Sequence, residues 1–228
     1  MAGLHGTVTS IDLVGTRLRR ITISATELRG QPWTPGQQVR VRTGDPKTGE
    51  RGPKRSYSVY AYDGDSIELA VFDHGEDGPG SAWARRIAIG EPVDLSRPEG
   101  SFVLRQGARY HLFAGEETAS VPFAAMLHAL PAEAGVFGVV EVDTPEDRLP
   151  LPDSITWAYR AGASAVASES LVAAVRELEL PDEPGIAYLA GEARTIQLVR
   201  KHLVKDRNWA KRDVVTKPFW TPGRRGMD

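Results

Sequence analysis

The chain of 228 residues suits one large domain or two compact ones, and its 41% apolar share is enough for an ordinary core. The 28 basic residues against 30 acidic ones give a net charge of −2, which excludes a global field that would draw nucleic acid or an anionic membrane. Cysteine is absent, which excludes a disulfide framework, thiol catalysis and Cys-ligated zinc or iron–sulfur centres.

Met1-Ala2-Gly3-Leu4-His5-Gly6 lacks the basic start and apolar run of a secretory signal. No stretch approaches ~20 continuous apolar residues. A monomeric cytoplasmic protein is expected, with no membrane insertion, no nucleic-acid partner and no metal centre.

From Gly6 to about Leu104 short alternating runs are separated by turn residues, the rhythm of an antiparallel barrel. Val8, Ile11 and Leu13 begin one strand, and Leu18, Ile21 and Ile23 mark a second. Pro35-Gly36 turns into a strand over Gln37–Arg42, and residues 43–54, rich in Gly and Pro, form a loop. Strands resume at Arg55–Ala61 and Ser66–Phe72. Ser81–Ala88 is the helix of this half, opened by Gly78-Pro79-Gly80.

Beyond Arg109 strand and helix alternate at the spacing of parallel βαβ units. Strands are expected at Tyr110–Ala114, Val136–Val142, Ile155–Tyr159 and Ile186–Ala190. Helices are expected at Val121–Leu130, Ser168–Leu180 (capped by Ser168) and Glu192–Lys205. The spacing therefore predicts a β-barrel domain over 1–106 followed by a small doubly wound α/β domain over 107–228.

Arg55-Ser56-Tyr57-Ser58 sits on a predicted strand just after a loop. Period-2 alternation puts Arg55 and Tyr57 on one face. A guanidinium forks onto a phosphate, and a phenol ring beside it lies on an aromatic ligand. The same four residues fit an ordinary half-buried strand with an exposed Arg and a packed Tyr. Gly78–Ala84 opens a helix whose free N–H groups and positive dipole end suit a pyrophosphate, with Ser81 as a further donor. An ordinary Ser-capped helix fits that segment as well, with Trp83 in the core.

Taken in order, these segments resemble the flavin domain of ferredoxin-reductase-like enzymes, and more closely the siderophore-interacting proteins. The quoted stretches are Arg55-Ser-Tyr-Ser-Val59, His74-Gly75 with Gly78-Pro-Gly-Ser-Ala-Trp-Ala84, and Ala114-Gly-Glu-Glu-Thr-Ala119. Trp157-Ala-Tyr-Arg160, Ala190-Gly-Glu-Ala193 and Phe219-Trp220 with Gly223 follow. The resemblance implies a flavoprotein that binds FAD, takes electrons from NADH or NADPH, and reduces ferric siderophores to release Fe(II). Ferredoxin is the alternative donor. A general flavin or ferric reductase of the same fold and a non-catalytic flavin- or siderophore-binding module are the competing readings.

The resemblance also assigns residues. Tyr57, Ser58 and Thr118 would stand at the flavin ring. Arg55, Ser56, Phe72, Asp73, His74, Gly80, Ser81, Ala82, Trp83, Glu192, Phe219 and Trp220 would complete the cofactor site. A basic pocket for an anionic siderophore would draw on Lys47, Arg51, Lys54 and Lys217, with Arg224 and Arg225 nearby. Arg160 and Arg194 are candidates for the 2′-phosphate of NADPH, while Glu116, Glu117 and Glu192 also read as helix-start carboxylates. One position departs from the family pattern, which often has a second Arg where this chain has Tyr60.

Overall fold

The structure is a computed structural model that describes residues 3–14, 17–45, 48–73 and 78–224. The chain divides into two compact units, one ending at Val103 and the other beginning at Leu104. Each has its own core.

The first unit is a closed six-stranded antiparallel barrel in the order β1-β2-β5-β4-β3-β6. Its strands are β1 (Leu4–Val14), β2 (Leu18–Ser24), β3 (Gln38–Arg42), β4 (Lys54–Tyr62), β5 (Ser66–Phe72) and β6 (Pro92–Leu95). Alternation aims Leu4, Val8, Ile21, Ile23, Val39, Val41, Val59, Ile67 and Leu69 inward. Gly6 lets β1 lie against β2, because a Cβ there would stand 2.5 Å from Ile23 Cγ2. The helix α1 (Pro79–Arg86) sends Trp83, Ala84 and the following Ile87 into the same core.

The second unit is a five-stranded parallel sheet in the order β11-β10-β7-β8-β9. Its strands are β7 (Tyr110–Glu116), β8 (Gly135–Val142), β9 (Ile155–Tyr159), β10 (Ile186–Glu192) and β11 (Val214–Trp220). The helices are α2 (Ser120–His128), α3 (Glu169–Glu177) and α4 (Ala193–Lys201), the last followed by a π turn over His202–Asp206. One face carries Leu112, Val139 and Leu189 packed with Leu171, Val175, Ile196 and Val199 of α3 and α4. Phe113 and Phe123 meet edge to face, joining β7 to α2.

The barrel followed by a parallel α/β sheet agrees with the sequence, but several elements differ in detail. Two strands were not foreseen. β6 has four residues and opens on Pro92, and β11 carries Pro218 inside a segment read as a tail. Both are positions where proline argues against a strand unless the strand is short or at an edge. α1 begins two residues earlier than expected, with Gly78 as cap and Pro79 at its first position. β7 runs on through Gly115 and Glu116, where a turn was expected. A 3-10 turn over Glu117–Ala119 then leads into α2. Ser168 caps α3 as expected, accepting from the Leu171 N–H at 3.2 Å.

Candidate functional site

β4 pairs with β3 so that Arg55 faces Val41 and Tyr57 faces Val39. Both valines are fully buried, so Arg55 and Tyr57 share the inward side of the sheet, while Ser56 and Ser58 take the other. The Tyr57 ring packs on the barrel core and lies 5.6 Å from the Trp83 ring, tilted by 34°. Its hydroxyl is buried and has no hydrogen-bond partner among the described residues. Burial holds this phenol well above its ordinary pKa, against a smaller opposing effect of Arg55.

Gly80 presses on that hydroxyl. A Cβ at position 80 would stand 2.7 Å from Tyr57 Oη and 3.8 Å from Arg55 Cγ. The Arg55 guanidinium donates to the Lys54 carbonyl at 2.8 Å and has no carboxylate partner among the described residues. The N-terminus of α1 has no side-chain cap and no acidic residue in its first turn. The N–H groups of Gly80 and Ser81 therefore lack an intrahelical acceptor. An unpaired guanidinium, an orphaned buried hydroxyl and an uncapped helix end meet at one place. That donor set fits a ligand with a phosphate and a polar aromatic ring, as FAD has.

The other expected first-unit residues fall in different surroundings. Trp83 is 1% exposed, so its side chain backs Tyr57 from within the core. Phe72 is buried at the end of β5. Asp73 meets Arg85 at 2.6 Å, and its backbone N–H donates to the Arg17 carbonyl. The Ala82 N–H is spent inside α1 on the Gly78 carbonyl. Lys54 is exposed, and Arg51 lines a shallow cleft of about 160 Å³ that also contains Asp45, Glu50 and Asp94. The loop is thus mixed in charge where a basic pocket was expected. Lys47, His74, Gly75 and Arg225 lie outside the described residues.

The second unit concentrates charge at the carboxyl edge of its sheet. β7 ends Ala114-Gly115-Glu116 and β10 ends Ala190-Gly191-Glu192, the same three residues on neighbouring strands. A Cβ on Gly115 would sit 2.3 Å from the Ala190 carbonyl. One on Gly191, whose φ is +116°, would sit 2.6 Å from Glu116 Oε1. The two glycines let the carboxylates pack against the neighbouring strand.

Glu116 accepts the Thr118 N–H at 2.9 Å, the Thr118 hydroxyl, and the Trp220 Nε1–H at 3.0 Å. Burial and then the adjacent Glu117 push its pKa up to about 7, against those donors. Glu192 behaves oppositely. Burial would raise it, yet N–H groups of Thr195, Arg194 and Ala167 hold it below the usual carboxylate value. Both side chains therefore cap helical starts, as the sequence allowed.

Glu117 and Arg160 do something else. Arg160, directly after β9, has a side chain only 6% exposed and forks onto Glu117, with Nη2 2.7 Å from Oε1. Glu141 stands 3.6 Å from Nη1 and accepts the hydroxyls of Ser168 and Ser170. Burial opposes the charge of Arg160, and Glu117 followed by Glu141 outweighs it and raises its pKa. Arg160 is thus committed inward, which corrects its reading as a phosphate ligand. Arg194 is exposed on the first turn of α4.

Glu141, Ser168, Ser170 and the Glu117–Arg160 pair were missed as a network by the sequence reading. The one visible signal was the repeated Ala-Gly-Glu. Trp220 and Lys217 lie on β11, half-buried, with Lys217 in register with Ala190, and Phe219 lies between Pro218 and Trp220. Arg224 is exposed. Among the described residues no group of three or more His, Cys, Asp or Glu is placed to hold a metal ion. No described helix is long and apolar enough to cross a membrane.

Comparison with known proteins narrows this geometry. The profile of the siderophore-interacting FAD-binding domain matches residues 32–102, and that of the siderophore-interacting protein matches 108–223. The chain is 32% identical over 199 residues to an uncharacterized protein of Mycobacterium tuberculosis, covering 79% of this chain and 69% of that one. It is 28% identical over 234 residues to a ferric vibriobactin reductase of Vibrio cholerae, covering 92% and 86%. A crystal structure of a siderophore utilization protein from T. fusca superposes with a TM-score of 0.86 at 23% identity, covering 99% of this chain and 95% of that one. With two consecutive profiles spanning both units, and the ring-and-phosphate donor set falling inside the first, the chain belongs to the siderophore-interacting protein family.

Proposed function

We propose that the protein is an FAD-dependent reductase of ferric siderophores that takes its electrons from a nicotinamide dinucleotide. The observation that carries this is the Tyr57 hydroxyl, buried without a partner beneath Gly80 and beside an unpaired Arg55. Buried polar groups in native proteins are almost always satisfied, and one left open beside a helix N-terminus is a place for a ligand atom. The FAD-binding profile over the barrel and the relative that reduces ferric vibriobactin support the same assignment.

In this reading Arg55 and the first turn of α1 hold the diphosphate, and Tyr57 supports the ring. A bound flavin converts two-electron donation by nicotinamide into the single-electron steps that ferric iron accepts. Iron enters as the substrate's cargo. Fe(II) is held far less tightly than Fe(III) by siderophore oxygens, so reduction releases it with the chelator intact.

The test begins with the visible spectrum of the purified protein after reconstitution with FAD. Arg55→Ala should weaken FAD retention by about 1.5–3 kcal/mol, the worth of a charge-assisted phosphate contact. Absence of flavin absorbance would remove the cofactor assignment, and unchanged retention in the variant would remove the role given to Arg55. The acceptor is tested by anaerobic turnover with NADH, NADPH and reduced ferredoxin against several ferric siderophores, simple ferric chelates and free flavin. Equal rates on all acceptors would point to a general reductase.

A further inference from the structure

We infer that the carboxyl edge of the second unit selects NADH over NADPH, because the arginine that a 2′-phosphate would need is locked onto Glu117. The inference rests on the reading of the protein as a nicotinamide-fed reductase and goes on to name the donor.

An open α/β sheet binds its nucleotide outside the carboxyl ends of the strands, where the strand order reverses. Here that point lies between β7 and β10. A diphosphate at such a point ordinarily takes free N–H groups at a helix start. Both helical starts here are filled by the chain's own carboxylates, Glu116 on the Thr118 N–H and Glu192 on the Thr195 N–H, each at 2.9 Å. The buried guanidinium of Arg160 is held by two buried carboxylates, Glu117 and Glu141, and the same sheet edge buries two more, Glu116 and Glu192.

A 2′-phosphate would bring about −1.5 to −2 further charge to this edge at neutral pH. Arg160 answers it only by abandoning Glu117, which would then be left buried and unpaired. The end of the second strand of the sheet is where a carboxylate serves a free ribose hydroxyl and an arginine serves a phosphate. That strand, β8, ends Glu141-Val142 and is followed by Asp143, with no cation among them. Asp143 is half-buried. Its Oδ1 accepts the Gly162 N–H at 2.7 Å, and its second oxygen has no partner among the described residues. A ribose 2′-hydroxyl suits that oxygen, and a phosphate does not. Arg194, exposed on α4, and Arg148, exposed in the segment after β8 and stacked on Trp157, are cations left to serve a phosphate if this assignment is wrong.

The experiment uses the full-length protein loaded with FAD. Under anaerobic conditions NADH should reduce the flavin with a KM at least tenfold below that of NADPH. In a titration calorimeter 2′,5′-ADP should bind no more tightly than 5′-AMP, a readout that needs no turnover. Glu117→Gln, which loosens Arg160 while keeping the side-chain shape, should narrow the preference by lowering the KM for NADPH. If that variant does not fold, the calorimetry on the unaltered protein decides. Tenfold tighter binding of 2′,5′-ADP overturns the inference and leaves the reductase reading standing. So does a preference for NADPH that is lost in Arg194→Ala. Failure of both nucleotides to bleach the flavin overturns the donor reading and the inference together.

Discussion

At the scale of single residues, Tyr57 and Gly80 form a matched pair whose logic can be separated by mutation. A buried hydroxyl without a partner costs about 1–3 kcal/mol. Tyr57→Phe should therefore stabilise the FAD-free protein by that order in urea denaturation, and at the same time weaken its hold on FAD. Gly80→Ala sets a helix-propensity gain of about 1 kcal/mol against a Cβ placed 2.7 Å from Tyr57 Oη. The clash should win, and the variant should lose stability. Because the next ring atom, Cζ, is 3.8 Å away, the double variant Tyr57→Phe/Gly80→Ala should regain what the single glycine change lost. A double variant no more stable than Gly80→Ala alone would show that the glycine answers to something other than the hydroxyl.

Half of this pair was legible in advance. Alternation along a strand puts Arg55 and Tyr57 on one face without any structure. The need for glycine at position 80 was not legible, because it depends on α1 folding back onto β4 across 22 intervening residues. Tyr60 shows the same limit. Its place in the family pattern called for a cation, and the fold brings one from elsewhere. Arg20 of β2, held by Glu68 at 2.9 Å, stands 5.9 Å over the Tyr60 ring. No spacing rule connects those two positions.

At the scale of elements, β11 was the larger omission. Pro218 hides the strand from a pattern search, since proline is expected only at a sheet edge. β11 is such an edge, and parallel pairing to β10 carries Trp220 to the end of β7. The Trp220 Nε1–H bond to Glu116 thus ties the last strand to the first of this sheet across β10. Trp220→Phe keeps a large aromatic ring and removes that donor. The loss should be about 1 kcal/mol of stability, with faster amide exchange over Val214–Trp220. The pKa of Glu116 should also rise further, since a donor favouring its charged form is gone. Unchanged exchange along β11 together with an unmoved Glu116 titration would show that the indole is held by packing alone. The repeated Ala-Gly-Glu was visible in the sequence as two separate segments. Its meaning became visible only when β7 and β10 proved adjacent, with each glycine making room for the neighbouring strand.

At the scale of the whole molecule, two buried groups of the second unit give its stability a dependence on pH that the near-zero net charge conceals. His111 on β7 is 4% exposed, its ring near-parallel to those of Phe113 and Tyr188 with centroids 6.4 and 6.0 Å away, and its Nδ1 has no partner among the described residues. Burial lowers its pKa from the ordinary 6.5. The unfolded chain therefore takes up the proton first as pH falls. The histidine's contribution is complete above pH 6.5 and is lost below it, as pH falls toward the depressed native value. Glu116 runs the other way. Its native pKa of about 7 exceeds the unfolded 4.5, so its contribution is complete below pH 4.5 and is lost as pH rises through 7. Between those limits the two slopes oppose one another. Relative to the unaltered protein, His111→Phe should make stability fall more steeply with rising pH between 5 and 7, because the rising component has been removed. Glu116→Gln should make it rise more steeply over the same interval, because the falling component has been removed. Urea midpoints of the FAD-free protein at pH 5, 6, 7 and 8 measure both slopes. Two variants that track the unaltered protein in parallel would show that neither group changes its proton occupancy on folding. Slopes of the opposite signs would show that the native core favours the charged form of each group over the neutral one.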